Sequence, residues 1–506
     1  MGLWCCFLAR LLFYAAMLPL WEGYDEWAHF AVVRQMAFGG RWLPSRDAAI
    51  PRDVETSLQL APVPWELRSL APPAVTRDDY WRLSREERER RKAQLGSPPD
   101  AWGLKAYEAL QPPLYYWLMT PMLWICRWLG VGLLGQVLAL RFLSALLASF
   151  IVPLVYRIGL EVWDDNRVAL GTAAIAALMP GLAIDVARVG NDCLAVLLFT
   201  LLTCLLLRTR RTAPAGLVMG LGLLTKAYFL TAIPAVLLVR RWTWRARFTT
   251  VAIGVVIAGW WYARNVWTTG TLSGLSESVT LRGESPGQMF HQAIGINWAK
   301  AVDAILLSHL YFGGWSSLTV RSWMYHLFYL AVLAGALGLM RVVRQPAIRT
   351  LLAVYLCFWL GQIYNVVLLY MSKGLAGSMG WYMYAVVGAE VTLCVAGLRS
   401  LAPAHMSRWV AALGAAMFAV LDLYTVHGVA IPYYTGMIHH RAGGSLEALH
   451  GAALRSVGIA GAVERLAVFV PPLVLVGLWV LYVAGTAGAF VCACARKCDD
   501  AAKNQG

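Results

Sequence analysis

Charged residues are scarce in this sequence. Only 14% of its 506 residues are Asp, Glu, Lys or Arg, whereas 59% are hydrophobic, and a soluble chain carries about 25% charged residues. The apolar residues come in blocks of roughly 16 to 25, the length that crosses a bilayer core as a helix. The composition excludes an ordinary soluble protein and predicts an all-α, polytopic membrane bundle.

The sequence also lacks the patterns of a disulfide framework, a phosphate-binding loop and a metal site. The ten cysteines lie in apolar blocks or at the termini, which disfavours an exported domain held together by disulfides. A glycine-rich phosphate loop is absent, which disfavours a nucleotide-sugar donor. His439 and His440 have no second pair of ligands at a suitable spacing, so no metal site is predicted. We expect no cofactor, although a divalent metal stays an open alternative.

The excess of positive charge, +15 in total, sits in short connectors between apolar blocks. Lys and Arg accumulate in the cytoplasmic loops of membrane proteins, so we assign these connectors to the cytoplasm and expect no nucleic-acid partner. The four basic clusters are Arg208 to Arg211, Arg240 to Arg247, Arg341 to Arg349 and Arg399 to Arg408.

Hydropathy and the basic connectors together predict about 12 crossings. The apolar block 112–130 is not counted, because a crossing there would put the first loop in the cytoplasm; we expect it to lie in the outer interface or to dip into the bilayer. The predicted crossings are 3–20, 136–156, 168–186, 191–207, 214–225, 227–239, 247–263, 325–340, 350–370, 381–397, 409–428 and 466–490, with the pair 214–239 forming one hairpin.

These crossings divide the chain into five parts. The first transmembrane helix is 1–20, a large first exterior loop with interfacial helices is 21–135, and a transmembrane module is 136–263. An exterior loop at 264–324 precedes C-terminal transmembrane helices at 325–506, which include an exterior loop at 429–465. The first helix lacks the marks of a cleaved signal and is expected to remain as an anchor. Arg10 within it either snorkels toward the cytoplasm or shows that the helix starts upstream.

The stretch YDEWAHF follows the first apolar block. In a helix that begins at Asp25, the side chains of Asp25, Glu26 and His29 point to one side. An ordinary alternative is that Asp25 caps the helix and Glu26 favours its first turn, but this leaves His29 unexplained. A second charged stretch, Arg82 to Gly96, alternates in sign, which favours a solvated helix face over a binding role.

Further ionisable groups are predicted at the same membrane face. Arg188 and Asp192 lie between two crossings, Lys226 is at the tip of the hairpin, and Arg264 stands where crossing 247–263 emerges. Each has an ordinary alternative as a cap, a turn or an interfacial anchor. Acids and bases that converge from separate helices nevertheless indicate a site. Glu390 and Asp422, inside crossings, are expected to be either buried structural partners or functional charges.

Such a cluster suits the transfer of a group from a lipid-linked phosphate donor. The cations would hold the phosphate, and a carboxylate such as Asp25 would take the proton from an acceptor hydroxyl. A lipid-linked glycan transporter or flippase without catalytic activity is the alternative, and it predicts functional charges midway through the bilayer. A scaffold subunit of an envelope-assembly complex is the third hypothesis.

Six segments, in this order, resemble the integral-membrane glycosyltransferases of the C superfamily, which use polyprenyl-phosphate sugars. Within that group the chain is similar to the bacterial branch related to protein O-mannosyltransferases and the aminoarabinose transferases of lipid A. The segments are YDEWAHF, LQPPLYYWL, LRFLSALLASFIVPLVY, ALMPGLAIDVARVGNDCLAVLL, GLVMGLGLLTKAYFLTAIP and WWYARNVWTTG.

The resemblance implies that Asp25 is the catalytic acid of the first exterior loop and that Asp192 matches the acid of the second. It also implies a glycan, lipid or protein acceptor at the exterior face of the inner (plasma) membrane. Gln111 stands where many relatives carry His, which leaves metal dependence open. The candidate catalytic residues are Asp25, Glu26, His29 and Asp192, and the candidate donor-phosphate ligands are Lys226, Arg264 and Arg188.

Overall fold

The computed structural model describes residues 1–45, 49–68, 74–95, 103–208 and 211–494. Within these ranges the regular secondary structure is helical, and β-type pairing is limited to three isolated bridges. The prediction of an all-α fold is confirmed. Residues 209–210 of the first basic cluster and Gly96 at the end of the charged stretch lie outside the described residues.

In the described part of the chain, seven helices are long and apolar enough to cross a membrane, and one bent pair makes up to eight. The first helix, the helix that follows Arg188 and the two halves of the hairpin are shorter, so the number of about 12 crossings stays a prediction. The seven are Leu133–Val162, Trp244–Thr269, Ser322–Val342, Pro346–Lys373, Gly380–Leu401, Val410–Tyr434 and Pro472–Cys494, and the shorter ones are Gly2–Met17, Asp192–Arg208, Thr212–Leu223 and Ala227–Leu237.

Two predicted crossings differ in shape because of proline. The first helix ends at Met17 rather than at residue 20, since Leu18 is extended in front of Pro19 and the residue before proline avoids the helical region. The predicted crossing 168–186 consists of Asn166–Leu178 and Pro180–Val186, which meet at an angle of 61°. Pro180 cannot continue the hydrogen-bond ladder of the first segment.

The predicted crossing 409–428 continues to Tyr434. Its polar residue His427 does not end the helix, because the His427 ring has partners within the bundle. Nδ1 lies 2.9 Å from the Leu423 carbonyl oxygen, and Nε2 accepts a hydrogen bond of 2.9 Å from the Trp479 indole. A satisfied histidine can stay inside an apolar span.

The long loops carry short helices. The charged stretch forms the helix Arg85–Gln94, and its N-cap Ser84 accepts a hydrogen bond of 3.2 Å from the Glu87 amide, so the predicted helix is confirmed. The block 112–130 forms Leu114–Trp128; its interfacial position stays a prediction. The other loop helices of at least four residues in the described ranges are Glu26–Phe38, Arg52–Leu60, Arg77–Tyr80, Tyr107–Leu110, Ser276–Thr280, Pro286–Ile294, Trp298–Leu310, Ala404–Ser407 and Gly451–Leu466.

Arg10 joins the first helix to the C-terminal half of the bundle. It is fully buried, and Nη2 donates a hydrogen bond of 2.6 Å to Asp422 Oδ1. Tyr14 and Tyr482 also donate to the Asp422 carboxylate, each at 2.7 Å. The expectation that Arg10 snorkels toward the cytoplasm is therefore wrong, because a carboxylate inside the bundle compensates its charge. The alternative that the helix starts upstream stays a prediction. Asp422 is a buried structural partner, and Glu390 pairs with His309 at 2.9 Å.

Candidate functional site

Asp25 immediately precedes the helix Glu26–Phe38. Its backbone adopts a left-handed conformation with φ of 54°, and its side chain makes no capping hydrogen bond. Instead, the Tyr107 hydroxyl donates to Asp25 Oδ1. Helix capping therefore does not account for this carboxylate, which is only partly buried. A non-glycine residue in the left-handed region is uncommon and often marks a functional position.

Glu26, the next residue, has the opposite environment. Arg141 donates two hydrogen bonds to its carboxylate, from Nε to Oε1 at 2.7 Å and from Nη2 to Oε2 at 2.6 Å. The Val189 amide donates a third to Oε1 at 3.0 Å. We call Glu26 and Arg141 the anchor pair. Both side chains are fully buried, so the pair joins the first loop to the transmembrane helices.

Asp192 lies between two cations. Arg188 Nη2 donates a hydrogen bond of 2.6 Å to Asp192 Oδ2, and the Lys226 ammonium donates one to Oδ1. Arg188 Nη2 also reaches Asp185 Oδ1 at 2.9 Å. The helix Asp192–Arg208 and the turn after Thr212–Leu223 position these groups. The arrangement fixes the positions of two positive charges, because Arg188 contacts two carboxylates and Lys226 contacts one of them.

Arg188 fits its position because two glycines leave room for it. A Cβ atom at Gly23 would lie 2.6 Å from Arg188 Cδ, and one at Gly190 would lie 1.9 Å from Nη1. The guanidinium is 2% exposed, and Nε and Nη1 have no hydrogen-bond partner in the described part of the chain. Buried donors without partners are rare in folded proteins.

His29 and Glu108 form the other side of the site. His29 Nδ1 lies 2.9 Å from the Tyr116 hydroxyl, which in turn donates to the Glu108 carbonyl at 3.1 Å. This network assigns the ring proton to Nδ1. Nε2 lies 3.6 Å from Glu108 Oε2, which is beyond hydrogen-bond range. We call Asp25, His29, Glu108, Arg188, Asp192 and Lys226 the acid–base cluster.

The members of the cluster act on one another electrostatically. Burial raises the pKa of Asp25, although the Tyr107 hydrogen bond and the charges of Arg188 and Lys226 act in the opposite direction. Burial and the Asp25 charge raise the pKa of Glu108 to about 8. Burial and the two cations lower the pKa of His29 well below its usual value. At neutral pH, Glu108 is thus mainly protonated and His29 is uncharged.

A cavity of about 590 Å³ opens beside Lys226. The ammonium group lies 5.3 Å and 5.2 Å from the ring centres of Tyr228 and Tyr382, and both tyrosines line the cavity. The remaining wall combines apolar side chains with a few polar ones. The apolar ones include Leu230, Leu272, Leu275, Leu281, Met289, Phe358 and Leu368, and the polar ones include Gln111, Arg282, Gln362 and Asn365.

The structure brings five of the seven candidate residues into this cluster: Asp25, His29, Arg188, Asp192 and Lys226. Glu26 lies next to it in the anchor pair. Arg264 does not join it; its guanidinium lies 4.9 Å from the centre of the Trp261 ring, which matches the alternative of an interfacial anchor. Within the described ranges, no group of three or more His, Cys, Asp or Glu residues is suited to hold a metal ion.

Sequence analysis missed Glu108 and Tyr107. They lie on the short helix Tyr107–Leu110, whose last residue begins the LQPP segment that resembles the family. A carboxylate next to that segment was the available signal. Its partners Asp25 and His29 are about 80 residues away in the chain, however, and no periodic pattern links residues across such a loop.

The comparisons with known proteins concern the family and the fold. The family model of glycosyltransferase family 87 matches residues 110–369, more than half of the chain. No curated protein matches the chain in sequence. The matched range begins at Leu110 and contains Arg188, Asp192 and Lys226, whereas Asp25 and His29 precede it.

Several solved structures are similar at low identity. One is ArnT from Cupriavidus metallidurans bound to undecaprenyl phosphate, at 16% identity and a TM-score of 0.48, with 97% of this chain and 76% of ArnT covered. Another is the Archaeoglobus fulgidus oligosaccharyltransferase tethered to an acceptor peptide, at 10% identity and a TM-score of 0.39. A third is the oligosaccharyltransferase AglB from Archaeoglobus fulgidus in complex with an inhibitory peptide and a dolichol-phosphate, at 11% identity and a TM-score of 0.36.

This chain spans 55% of the length of each archaeal chain. Because all three TM-scores are low, no residue role is transferred from these structures. The family match does not depend on them, and it confirms the resemblance to membrane glycosyltransferases that the sequence motifs indicated. The chain belongs to glycosyltransferase family 87, and it is an integral-membrane glycosyltransferase.

Proposed function

We propose that the protein transfers a sugar from a polyprenyl-phosphate-linked donor to a hydroxyl group of an envelope glycan, lipid or protein. One observation carries the proposal: the partly exposed Asp25 carboxylate shares an electrostatic cluster with Lys226, and Lys226 faces the cavity of about 590 Å³. A carboxylate that can accept a proton and a cation that can bind a phosphate thus act on each other electrostatically, and this transfer requires both groups.

The cavity suits a lipid-linked donor. Lys226 and Arg282 supply positive charge for a phosphate, and the apolar wall around Phe358 and Leu368 suits an isoprenoid chain. In this proposal Arg282 takes the role of phosphate ligand that the sequence motifs suggested for Arg264. Arg188 and Asp192 are positioning residues, because they hold the Lys226 ammonium in place and are themselves almost fully buried.

Asp25 is the proposed base. The Tyr107 hydroxyl orients Oδ1, and within the described residues Oδ2 receives no hydrogen bond from the protein, so it is open to an acceptor. The acceptor oxygen attacks the anomeric carbon while its proton moves to Asp25. The bond from that carbon to the phosphate oxygen breaks, and Lys226 stabilises the departing phosphate monoester. A single displacement of this kind inverts the anomeric configuration.

Glu26, His29 and Glu108 have supporting roles in this proposal. Glu26 belongs to the anchor pair, so neither of its oxygens is available as a base. Neutral His29 and protonated Glu108 keep the negative charge of the site on Asp25 and Asp192. We place the reaction at the exterior face of the inner (plasma) membrane, in line with the positive-inside assignment of the basic connectors. Membership of a glycosyltransferase family favours this reaction over the non-catalytic transporter.

The test is release of polyprenyl phosphate by the purified full-length protein, incubated with a panel of polyprenyl-phosphate sugars and crude envelope acceptors. We expect Asp25→Asn to reduce release by about 10²- to 10⁴-fold, the usual contribution of a general base. Asp79→Asn is the matched control, since Asp79 is a largely exposed loop carboxylate, and it should keep wild-type release. Near-normal release by Asp25→Asn at equal amounts of folded protein would refute the proposed role.

A further inference from the structure

A second cavity, of about 400 Å³, lies between the helices Arg85–Gln94 and Gly451–Leu466. None of its lining residues belongs to the acid–base cluster or lines the cavity beside Lys226. Its wall includes Leu20 and Arg77. Arg77 donates a hydrogen bond of 2.7 Å to Glu22 Oε2 and one of 2.8 Å to the Leu20 carbonyl. These bonds join the cavity wall to the loop segment that leads to Asp25.

The cavity carries more positive than negative charge. Its lining contains five cations and two carboxylates, and only one of the cations, Arg77, is neutralised by a close carboxylate. No ion pair within 4.0 Å joins Arg85, Arg88 or Arg465 to a described acid. The cations are Arg77, Arg85, Arg88, Lys92 and Arg465, and the carboxylates are Glu89 and Glu464.

Two of these arginines lie against the same aromatic ring. The guanidinium carbon of Arg465 lies 4.5 Å from the Trp81 ring centre, and that of Arg88 lies 5.4 Å from it. Burial and the charge of Arg88 lower the pKa of Arg465, whereas the charge of Glu464 acts in the opposite direction. The two guanidinium groups therefore repel each other. Like charges that share a recess without a close counter-ion attract an anion, and arginine offers paired donors that match a phosphate.

The cavity also has an apolar wall. Met17 is the last residue of the first helix, and Leu134 lies at the start of the membrane-length helix Leu133–Val162. Leu466 and Val468 complete this wall. An ion in water would gain nothing from these side chains, whereas a molecule that combines a phosphate with hydrocarbon could use both walls.

We propose that this cavity binds the phosphate of an amphiphilic lipid, with the phosphate between Arg88 and Arg465 and the hydrocarbon along Met17 and Leu134. The assignment does not rest on the proposed transfer reaction. It revises the sequence-based view of the charged stretch. One face of the helix Arg85–Gln94 is solvated, as expected, but Arg85, Arg88 and Lys92 recur at helical spacing on the face that lines the cavity.

The test is equilibrium binding of radiolabelled short-chain phosphatidic acid to the purified full-length protein. We expect Arg88→Gln and Arg465→Gln each to weaken binding about tenfold, because each removes charge-assisted hydrogen bonds to the phosphate. The matched control is Arg90→Gln on the same helix. Arg90 pairs with Glu87 and does not line the cavity, so its affinity should stay within about twofold of the wild type.

Two competitors separate the sources of affinity. Inorganic phosphate has the charge alone and short-chain diacylglycerol has the hydrocarbon alone, so both should compete far more weakly than unlabelled phosphatidic acid. Equal competition by inorganic phosphate would overturn the lipid assignment, and unchanged binding by Arg88→Gln would overturn the site. Arg465 also donates to the Thr435 carbonyl; if its variant unfolds, Arg85→Gln replaces it and should weaken binding in the same direction.

Discussion

The anchor pair and the acid–base cluster start from neighbouring residues, Glu26 and Asp25, and they differ in how completely their polar atoms are satisfied. In the anchor pair, all three guanidinium nitrogens of Arg141 donate hydrogen bonds, to Glu26 and to carbonyls of the Ala15–Pro19 segment. In the cluster, two nitrogens of Arg188 have no described partner, and Lys226 faces a cavity.

This difference separates a charge that holds the fold from a charge that serves a ligand. A buried ion pair tolerates its loss of hydration only when its remaining donors and acceptors are also bonded. The anchor pair meets that condition. The cluster does not. Unpartnered nitrogens alone do not mark a site, because Nε and Nη1 of the structural residue Arg10 also lack a described partner; the cavity beside Lys226 is what indicates a ligand.

The largest expected effect concerns stability, at the anchor pair. Arg141→Ala would leave the buried Glu26 carboxylate without its cation, which costs about 3–5 kcal/mol of folding free energy. The melting temperature and the yield of detergent-solubilised protein should both fall clearly. A variant with the melting temperature of the wild type would contradict the structural role of the anchor pair.

Lys226→Gln sharpens the comparison from the other side. Asp192 keeps its ion pair with Arg188, so we expect little change in melting temperature. Release of polyprenyl phosphate should nevertheless fall about 10²-fold, as when one donor to a developing oxyanion is removed. Lys300→Gln, at an exposed position, is the control and should leave both quantities unchanged. A large loss of stability with normal specific activity would reverse the assignment.

Glu108 should make the stability of the protein depend on pH. Its pKa is raised from 4.5 to about 8 in the folded protein, so between these values the folded state binds more protons than the unfolded state. Stability should therefore decrease as the pH rises from about 4.5 to 8. Glu108→Gln cannot ionise, and its melting temperature should depend less on pH across this window. The exposed Glu86→Gln should keep the wild-type dependence; identical profiles for all three proteins would contradict the assignment.

The smallest expected effect concerns a surface ion pair. Arg82 Nη1 lies 2.9 Å from Asp79 Oδ1, but the two side chains are 66% and 58% exposed. Arg82→Ala should change the free energy of unfolding by only about 0–1 kcal/mol and leave activity intact, as measured by melting temperature and polyprenyl-phosphate release. A loss comparable to that of Arg141→Ala would mean that burial does not decide the value of these pairs.

Much of the fold was predictable because membrane spans are set by hydropathy. Helices such as Trp244–Thr269 and Pro346–Lys373 follow the apolar blocks closely. The bend at Pro180 was visible in the sequence, yet a single crossing was predicted, since apolar residues flank the proline on both sides. The pairing of Arg10 with Asp422 joins residues from opposite ends of the chain, and hydropathy does not reveal such partners.

The candidate site was predictable in part for a similar reason. Topology alone placed Asp25, Asp192 and Lys226 at one face, and the structure brings them together. It could not separate Asp25 from Glu26, because two adjacent acids look alike until their partners are known. Nor could it identify Glu108, whose position near His29 depends on how the long first loop folds.

The central claim is that Asp25 acts on the acceptor and Lys226 on the donor phosphate within one site. The most direct test measures donor affinity and turnover together in Asp25→Asn and Lys226→Gln, with a polyprenyl-phosphate sugar that the wild type uses. We predict that Asp25→Asn binds the donor as the wild type does but releases almost no polyprenyl phosphate, whereas Lys226→Gln binds it more weakly. Unchanged donor affinity in Lys226→Gln, or normal turnover in Asp25→Asn, would contradict the account.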